Sequence, residues 1–283
     1  MDRFSLELAD IPIEVTSRYN YCRWFCRDYL TDKEPVFSVF AGEDRMAEMR
    51  EYDADIEEIF LERDAIYSAI ASKLPYFRRV ILHGACISWR GKGYLFTAAS
   101  GTGKSTHIGL WKQYLGADVD IVNGDKPIFH IMGPNEGGES EKEHGKRINS
   151  GGVSIMAYDT PWCGKEGWNR KHSAPMAAIC FLRRSEDGLN RIRRVEPDEA
   201  IPLMLRQMFH PYEPEATGLM MEMLDQMLET LPLYLLECDI SEDAVRCSFE
   251  ALTGEQYVSK GIQYTREEID RLWRMSVQER GMT

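Results

Sequence analysis

The sequence lacks any run of about 18 consecutive apolar residues, so it offers no candidate for a membrane-spanning helix. It also lacks a surplus of positive charge, because 34 Lys and Arg stand against 46 Asp and Glu and give a formal net charge of -12. An acidic surface repels a polyphosphate backbone, so we expect neither nucleic acid nor a membrane as a partner. The start MDRFSLELAD has no long apolar stretch, which argues against a secretory signal and predicts a cytoplasmic protein.

A zinc-binding arrangement of cysteines is missing as well. The seven cysteines are an odd number, and Cys22 and Cys26 have no second pair of ligands at zinc spacing. We interpret the cysteines as reduced thiols, several of which serve as small hydrophobic core residues. The content of 43% hydrophobic and 28% charged residues is typical of a globular protein.

Residues 1–76 are interpreted as an N-terminal β-rich subdomain with a linking helix. The stretches FSLEL and IPIEV alternate apolar and polar residues as strands do. Apolar residues recur at helical spacing between Ile59 and Leu74, and Pro75 ends that helix. Residues 77–255 form the main domain in this interpretation. Residues 256–283 contribute a C-terminal helix that begins at a capping box of Thr265 and Glu268.

Two apolar runs, VILHGACISW and YLFTAA, flank an Arg-Gly-Lys-Gly turn. This pattern predicts a β-hairpin whose second strand leads into the segment TAASGTGKST. Ile108, Trp111 and Leu115 then repeat at helical spacing until Gly116, which predicts a helix that begins inside that segment. The strand entering the segment would therefore pair antiparallel with the strand before it, whereas most phosphate loops follow a parallel βαβ unit.

The remaining chain alternates short apolar runs with loops and ends mostly in helices. DVDIV, KPIFHIM, VSIMAY, AAICFL and LPLYLLEC are typical of strands. Residues 133–152 are polar and glycine-rich, and form either a loop that closes over substrate or a surface insertion. A stripe of Met and Leu residues between Leu219 and Leu231 belongs either to a packed helix or to an adaptable binding face, and the gap-filling use of methionine favours packing.

The segment from Ala98 to Ser105 fits the phosphate-loop pattern, with alanine in place of the first glycine. Its glycines let backbone N–H groups turn inward, and the helix start adds partial positive charge. Lys104 would bridge the β- and γ-phosphates, the Ser105 hydroxyl would bind Mg²⁺, and Thr106 would contact the α-phosphate. The alternative is a glycine turn with a surface lysine. The predicted nucleotide-binding residues are Ser100, Gly101, Thr102, Gly103, Lys104, Ser105 and Thr106.

Phosphoryl transfer also needs a carboxylate beside the metal. Asp125 follows a strand about 20 residues after Lys104, and we expect it to bind Mg²⁺ together with Ser105. Alternatively, Asn123-Gly124-Asp125 is only a hairpin turn. His83 lies on the strand that pairs with the one entering the phosphate loop, and it is either beside the phosphates or structural. The predicted catalytic residues are Asp125, His83 and Lys104.

The order strand, HG, strand, SGTGKS, helix, NGDKP resembles the C-terminal catalytic domain of HPr kinase/phosphorylase, whose nucleotide site is similar to that of phosphoenolpyruvate carboxykinase. The chain is more similar still to bacterial HPr-kinase-related proteins that carry SGTGKSTH, DKP and TPWCGK. These motifs cover roughly residues 78 to 185. The resemblance implies an α/β fold in which a mixed β-sheet P-loop domain of the phosphoenolpyruvate carboxykinase-like type is joined to an N-terminal β-rich subdomain and a helical C-terminal part.

The resemblance also implies a role for each matching position. Lys104 and Ser105 hold phosphate and magnesium, Asp125 is one aspartate of an acidic pair, Lys126 is the basic residue beside it, and His83 is the histidine next to the catalytic aspartate. Gly124 departs from the pattern, because HPr kinases usually have the first aspartate there. The base that takes the acceptor's proton would then be Asp125, His83 or a substrate group. The Arg-Gly-rich signature of the family is absent too, which argues against HPr as the substrate.

The stretch TPWCGK, residues 160–165, stands where that signature would come. A lysine on a glycine turn can meet a transferring phosphoryl oxygen, and a tryptophan can stack on substrate. The alternative is a proline-glycine loop around a buried tryptophan. Cys163 has no Cys/His/Asn layout that would make it a nucleophile. The predicted substrate contacts are Lys126, Trp162, Gly164, Lys165 and Asn169.

Together these features predict an ATP-dependent kinase with ATP and Mg²⁺ as cofactors. The expected partner is a nucleotide plus a hydroxyl acceptor, above all a serine of a peptide or protein. The alternatives are a small-molecule kinase and a nucleotide-binding sensor without phosphotransfer, the latter because of Gly124. HPr kinases assemble as oligomers, so the resemblance also implies a homo-oligomer.

Overall fold

The computed structural model of the chain describes residues 1–52, 55–133 and 152–274. The chain divides into two compact units, of which the first comprises Met1–Val80 and Phe209–Met220 and the second comprises Ile81–Met208 and the chain from Met221 onward. Within the described ranges, no helix is long and apolar enough to cross a bilayer. Residues 134–151 of the predicted polar loop, and the C-terminal residues 275–283, lie outside the described residues.

The first unit contains a three-stranded sheet with the order β1-β2-β3. The strands β1 (Asp2–Leu8) and β2 (Ile11–Ser17) pair antiparallel and confirm the two predicted N-terminal strands. Their alternating apolar side chains are buried on one face, as the period of two requires. The third strand, β3 (Phe37–Phe40), pairs parallel with β2 and was not predicted.

Of the α-helices among the described residues, three lie wholly in the first unit: α1 (Tyr21–Phe25), α2 (Glu43–Tyr52) and α3 (Glu58–Lys73). The helix α3 confirms the predicted linking helix, and its apolar residues Leu61, Ala65 and Ile66 are buried. A short 3₁₀ turn at Leu74–Phe77 follows α3 and contains the proline that was expected to end it.

A nine-stranded mixed sheet lies in the second unit except for the first two residues of its first strand. Its main path runs β4-β8-β9-β10-β6-β5-β7, and β12 pairs with both β10 and β11. The strands are β4 (Arg79–Ile81), β5 (Ala85–Trp89), β6 (Lys92–Thr97), β7 (Val119–Asn123), β8 (Ile128–Met132), β9 (Ser154–Tyr158), β10 (Ser173–Arg184), β11 (Arg191–Arg194) and β12 (Leu233–Cys238).

The predicted hairpin is present, because β5 and β6 pair antiparallel. On its other side β6 pairs parallel with β10, which in turn pairs parallel with β12. The carboxyl ends of β6, β10 and β12 therefore lie at one edge of the sheet. The strand β7 pairs with β5, whereas β8 lies between β4 and β9. The interpretation of Asn123-Gly124-Asp125 as a hairpin turn is therefore wrong, because the strands on either side of it are not neighbours.

The remaining helices are α4 (Lys104–Leu115), α5 (Pro197–Leu205), α6 (Pro214–Thr230), α7 (Glu242–Thr253) and α8 (Arg266–Trp273). The helix α4 ends at Gly116, as predicted, and buries Ile108 and Trp111 in a core that includes Phe249 of α7. The methionine stripe of α6 is buried, which confirms packing rather than an exposed binding face. The capping box of Thr265 and Glu268 is present at the start of α8. All seven cysteines are free thiols.

These elements make the chain a mixed α/β protein whose sheet contains both parallel and antiparallel pairs. The expected α/β class is confirmed at this level.

Candidate functional site

The segment predicted to bind phosphate, residues 98–103, is called the phosphate loop below and joins the end of β6 to the start of α4. Gly103 has φ 122° and lies immediately before the helix, a conformation that a side chain disfavours. Among the described residues no side chain caps α4. The first N–H groups of the helix are therefore available to an anion, which is the strand–loop–helix arrangement that phosphate binding requires.

Lys104 is buried, with 7% of its surface exposed. Its Nζ donates hydrogen bonds to the carbonyl oxygens of Ala98 at 2.9 Å and Ala99 at 3.3 Å. Burial lowers the pKa of Lys104, whereas the negative charges of Asp125 and Glu166 raise it. The ammonium group therefore lies within electrostatic range of both carboxylates, although they belong to other segments of the chain.

Asp125 is held by two basic side chains. Its Oδ1 lies 3.2 Å from His83 Nε2, and its Oδ2 lies 2.5 Å from Lys126 Nζ. Burial alone would raise the pKa of Asp125, but the hydrogen bond from His83 and the charge of Lys126 outweigh burial and lower the pKa to about 2. Asp125 is therefore an anion at neutral pH, which suits a metal ligand.

The prediction that His83 lies on the strand paired with β6 is wrong, because His83 lies in the short connection between β4 and β5, where backbone and side-chain contacts fix it. Its N–H donates to the Gln207 carbonyl at 2.7 Å, and its Nδ1 lies 3.1 Å from Gln207 Oε1. Its own carbonyl accepts a hydrogen bond from Thr97 Oγ1 at 2.7 Å. The next residue, Gly84, donates its N–H to the Asp125 carbonyl at 2.8 Å. These contacts tie the histidine both to the strand that enters the phosphate loop and to Asp125.

Asn123 shapes the turn that presents Asp125, and sequence analysis missed it. Its side chain is completely buried. Its Oδ1 accepts the N–H groups of Asp125 and Lys126 at 2.8 and 2.7 Å. Its Nδ2 donates to Asp159 Oδ1 at 2.8 Å and to the Thr160 carbonyl at 3.0 Å. Asn-Gly-Asp after a strand is a local signal for such an Asx turn, but the partner at Asp159 has no local signal.

Gly124 is enclosed by backbone atoms of the tryptophan loop, which we define as residues 160–169. Its N–H donates to the Trp168 carbonyl at 3.0 Å. A Cβ at position 124 would lie 2.7 Å from the Cys163 carbonyl oxygen and 3.2 Å from that of Trp168. Such short contacts leave no room for a side chain. The aspartate that HPr kinases usually have at this position therefore does not fit the present backbone.

The predicted substrate residues in the tryptophan loop divide into two groups. Gly164 and Lys165 are exposed, whereas Trp162 and Asn169 are buried. The Asn169 N–H donates to the Trp273 carbonyl at 3.0 Å, so its backbone has a structural partner. The loop also lies against the predicted metal ligand, because a Cβ at Gly164 would stand 3.0 Å from Asp125 Cβ.

The two residues predicted to bind a metal are Ser105 and Asp125. Ser105 lies half-buried in the first turn of α4, next to Lys104. Among the residues that the structure describes, no group of three or more His, Cys, Asp or Glu side chains is arranged to hold a metal. One hydroxyl and one carboxylate suit Mg²⁺, which keeps several waters and takes further oxygens from substrate phosphates.

Arg184 is a second residue that sequence analysis did not assign to the site. It ends β10, and its Nη2 donates to the Gly101 carbonyl at 2.5 Å while its Nε donates to the Thr102 carbonyl at 3.3 Å. Its neighbour Arg183 pairs instead with Glu237 at 3.1 Å. Two successive arginines at the end of a strand point to opposite sides, and the sequence alone does not tell which of them meets the phosphate loop.

No model of a protein family matches the chain, and no curated protein matches it either. The chemistry of the site therefore has to be argued from its own residues.

Proposed function

We propose that the protein is an ATP-dependent phosphotransferase that transfers a phosphoryl group to a hydroxyl, above all a serine of a peptide or protein acceptor. One observation carries the proposal: the buried Lys104 lies where strand, glycine loop and helix meet, and its Nζ contacts carbonyl oxygens of that loop. The antiparallel hairpin that enters the loop, with His83 contributed from beside it, supports a P-loop domain of the phosphoenolpyruvate carboxykinase-like type.

The nucleotide would bind through the residues from Ser100 to Thr106. The N–H groups at the start of α4 and the partial positive charge of the helix end favour the phosphates. The Lys104 ammonium would exchange its contacts with the Ala98 and Ala99 carbonyls for contacts with the β- and γ-phosphates. A buried ammonium loses little solvation in that exchange, so much of its attraction to the phosphates contributes to binding.

Ser105 and Asp125 would hold Mg²⁺, which neutralises charge that develops on the phosphates. The two basic neighbours of Asp125 keep its carboxylate ionised and fix its orientation. Because the transition state of phosphoryl transfer is loose, positioning and electrostatics supply most of the catalysis. Lys126 contacts this carboxylate, and the exposed Lys165 lies in the adjoining tryptophan loop. We assign both cations to the binding of the hydroxyl acceptor.

A nucleotide-binding sensor without phosphotransfer is the second candidate function. It is favoured by Gly124, where the backbone of the tryptophan loop leaves no space for the carboxylate of the HPr kinases. A sensor would bind ATP and release no ADP with any acceptor. A kinase for a small molecule differs from the main proposal only in the acceptor.

The proposal is tested by comparing two buried lysines of the same helix. Lys112 is buried like Lys104, but its Nζ donates to the Val119 carbonyl at 2.6 Å, away from the phosphate loop. We expect Lys104→Met to weaken binding of ATP with Mg²⁺ about 30-fold or more, because a charge-assisted contact to phosphate is lost. Lys112→Met should keep the wild-type affinity within about twofold.

Isothermal titration measures both affinities, and Lys112→Met controls for the general cost of replacing a buried lysine in α4. Wild-type affinity in Lys104→Met would contradict the proposal. Binding without ADP release over a panel of serine peptides and small hydroxyl compounds would select the sensor.

A further inference from the structure

Glu166 is a second carboxylate at the candidate site, and none of the roles above uses it. It lies in the tryptophan loop, whose carbonyl groups at Cys163 and Trp168 fill the space beside Gly124. The loop that excludes an aspartate from position 124 therefore brings a different carboxylate to the same region.

Two short distances place Glu166 beside Asp125. The point where a Cβ of Gly164 would stand lies 3.5 Å from Asp125 Cγ and 3.7 Å from Glu166 Oε2. The two carboxyl groups thus flank the same glycine of the tryptophan loop. A side chain at position 164 would contact both of them.

The charge of Glu166 also acts at the phosphate end of the site. The Lys104 ammonium interacts electrostatically with Asp125, Lys126 and Glu166. In the proposed function, the Glu166 charge would therefore also act on the phosphates that this ammonium binds.

The two carboxylates differ in how far their oxygens are engaged. Both oxygens of Asp125 have a basic partner, His83 for one and Lys126 for the other. Within residues 1–52, 55–133 and 152–274, the Glu166 carboxylate has neither a hydrogen bond nor an ion pair, and it is half-buried. A carboxylate without an ion pair can accept a proton directly, whereas Asp125 would first have to give up an ion pair.

We propose that Glu166 is the general base of the phosphotransfer reaction and takes the place of the aspartate that Gly124 lacks. This inference rests on the proposed function. The acceptor oxygen forms a bond to the γ-phosphorus of ATP, and the bond from that phosphorus to the bridging oxygen breaks. The electron pair of the broken bond leaves with ADP. The hydroxyl proton passes to the Glu166 carboxylate, which returns it to solvent.

The test uses Glu166→Gln, Glu166→Asp and the charge-matched control Glu186→Gln, whose side chain is exposed after β10. The first measurement is binding of ATP without metal by isothermal titration. Removing a negative charge close to the phosphates reduces repulsion, so Glu166→Gln should bind metal-free ATP about threefold tighter or more, and the control should be unchanged.

The second measurement is ADP release from ATP with Mg²⁺ and water as the acceptor. Glu166→Gln should release ADP at least about 100-fold more slowly than the wild type, and Glu166→Asp should recover part of that loss. The affinity of Glu166→Gln for ATP with Mg²⁺ should stay within about threefold of the wild-type affinity, which separates loss of the base from loss of the fold.

The outcomes separate this inference from the proposed function. A wild-type protein that does not bind ATP overturns the proposed function itself. A wild-type protein that binds ATP, together with unchanged metal-free affinity or unchanged ADP release in Glu166→Gln, overturns only the role of Glu166. The titration with metal-free ATP needs no turnover, so it tests whether Glu166 is close to the phosphates even if water is a poor acceptor.

Discussion

The phosphate loop leads into Lys104, and the tryptophan loop lies against Asp125. The two loops are stabilised in different ways. The phosphate loop is a continuous segment between β6 and α4, and Lys104 is bonded to carbonyl groups of that same segment. The tryptophan loop is fixed by distant residues, since its Thr160 and the preceding Asp159 bind the side chain of Asn123. One half of the site is encoded locally, and the other half is assembled by tertiary contacts.

This difference explains why a sequence motif identifies the phosphate loop but not the residues around Asp125. A phosphate binds to backbone N–H groups, and a glycine pattern that shapes the backbone is visible in the sequence. The part of the candidate site around Asp125 depends on which side chains the fold brings together, as it brings His83 to Asp125. We expect substitutions to act accordingly, through backbone conformation in the phosphate loop and through packing in the tryptophan loop.

The largest effect should come from a pair of glycine-to-alanine substitutions that separates these two causes. A Cβ at Gly103 meets nothing within 4 Å but has φ 122°, whereas a Cβ at Gly124 collides with the Cys163 carbonyl at 2.7 Å. We expect Gly124→Ala to lower the free energy of unfolding by about 3 kcal/mol, since the backbone of the tryptophan loop must move. Gly103→Ala should cost about 1–2 kcal/mol, through backbone strain alone.

Urea unfolding followed by tryptophan fluorescence measures both costs, because five of the six tryptophans lie in the second unit. Gly124→Asp, which adds the aspartate of the HPr kinases, should destabilise at least as much as Gly124→Ala and should not raise ADP release. A stable Gly124→Asp variant with faster turnover would contradict the view that the tryptophan loop occupies this space.

The fold was predictable from the sequence where local patterns are strong. The turn between β5 and β6, the periodicity of α4 and the capping box of α8 each depend on residues close together in the chain. The elements α1, β3 and β11 were not predicted, because α1 is little more than one helical turn and the strands β3 and β11 have only four residues each. The strand β11 is also rich in arginine, which a strand accepts only where its side chains reach solvent.

The candidate site shows the same limit. Lys104 and Asp125 follow a glycine loop and a strand end, so their positions were predictable from neighbouring residues. Arg184 was not, because it reaches the Gly101 carbonyl from 83 positions along the chain. Glu166 was not, because its place beside Asp125 depends on how the tryptophan loop packs on Gly124.

The helix α4 is also held by contacts with distant residues, and one of these contacts predicts a pH dependence. His107 of α4 is buried, and its Nε2 lies 3.1 Å from Ser248 Oγ of α7. Burial lowers the pKa of His107 to about 3 from its usual 6.5. Between these values the unfolded chain binds a proton that the folded chain does not, so the contribution to stability is lost as the pH falls below 6.5.

We expect this titration to reduce the free energy of unfolding by about 2 kcal/mol between pH 7 and pH 5. His107→Gln keeps a donor for Ser248 but does not titrate, so it should reduce the pH dependence by about that amount. Urea unfolding at the two pH values checks this. An equal pH dependence in the wild type and in His107→Gln would show that the contact between α4 and α7 does not contribute in this way.

The smallest effect should come from Arg184, a distant side chain that contacts the phosphate loop from outside. Its guanidinium binds the carbonyl groups of Gly101 and Thr102, so it fixes the orientation of these two peptide groups. Because the side chain is exposed, we expect Arg184→Ala to weaken binding of ATP with Mg²⁺ only about three- to tenfold, or about 1 kcal/mol.

Arg183→Ala is the matched control, since Arg183 also ends β10 but pairs with Glu237, and it should keep the affinity within about twofold. Arg184→Lys should fall between the wild type and Arg184→Ala, because one ammonium lacks the fork that reaches two carbonyls. Isothermal titration of the three variants gives the order. If Arg184→Ala binds as tightly as Arg183→Ala, the phosphate loop keeps its shape through local contacts alone, and the contrast with the tryptophan loop is sharper than the present contacts indicate.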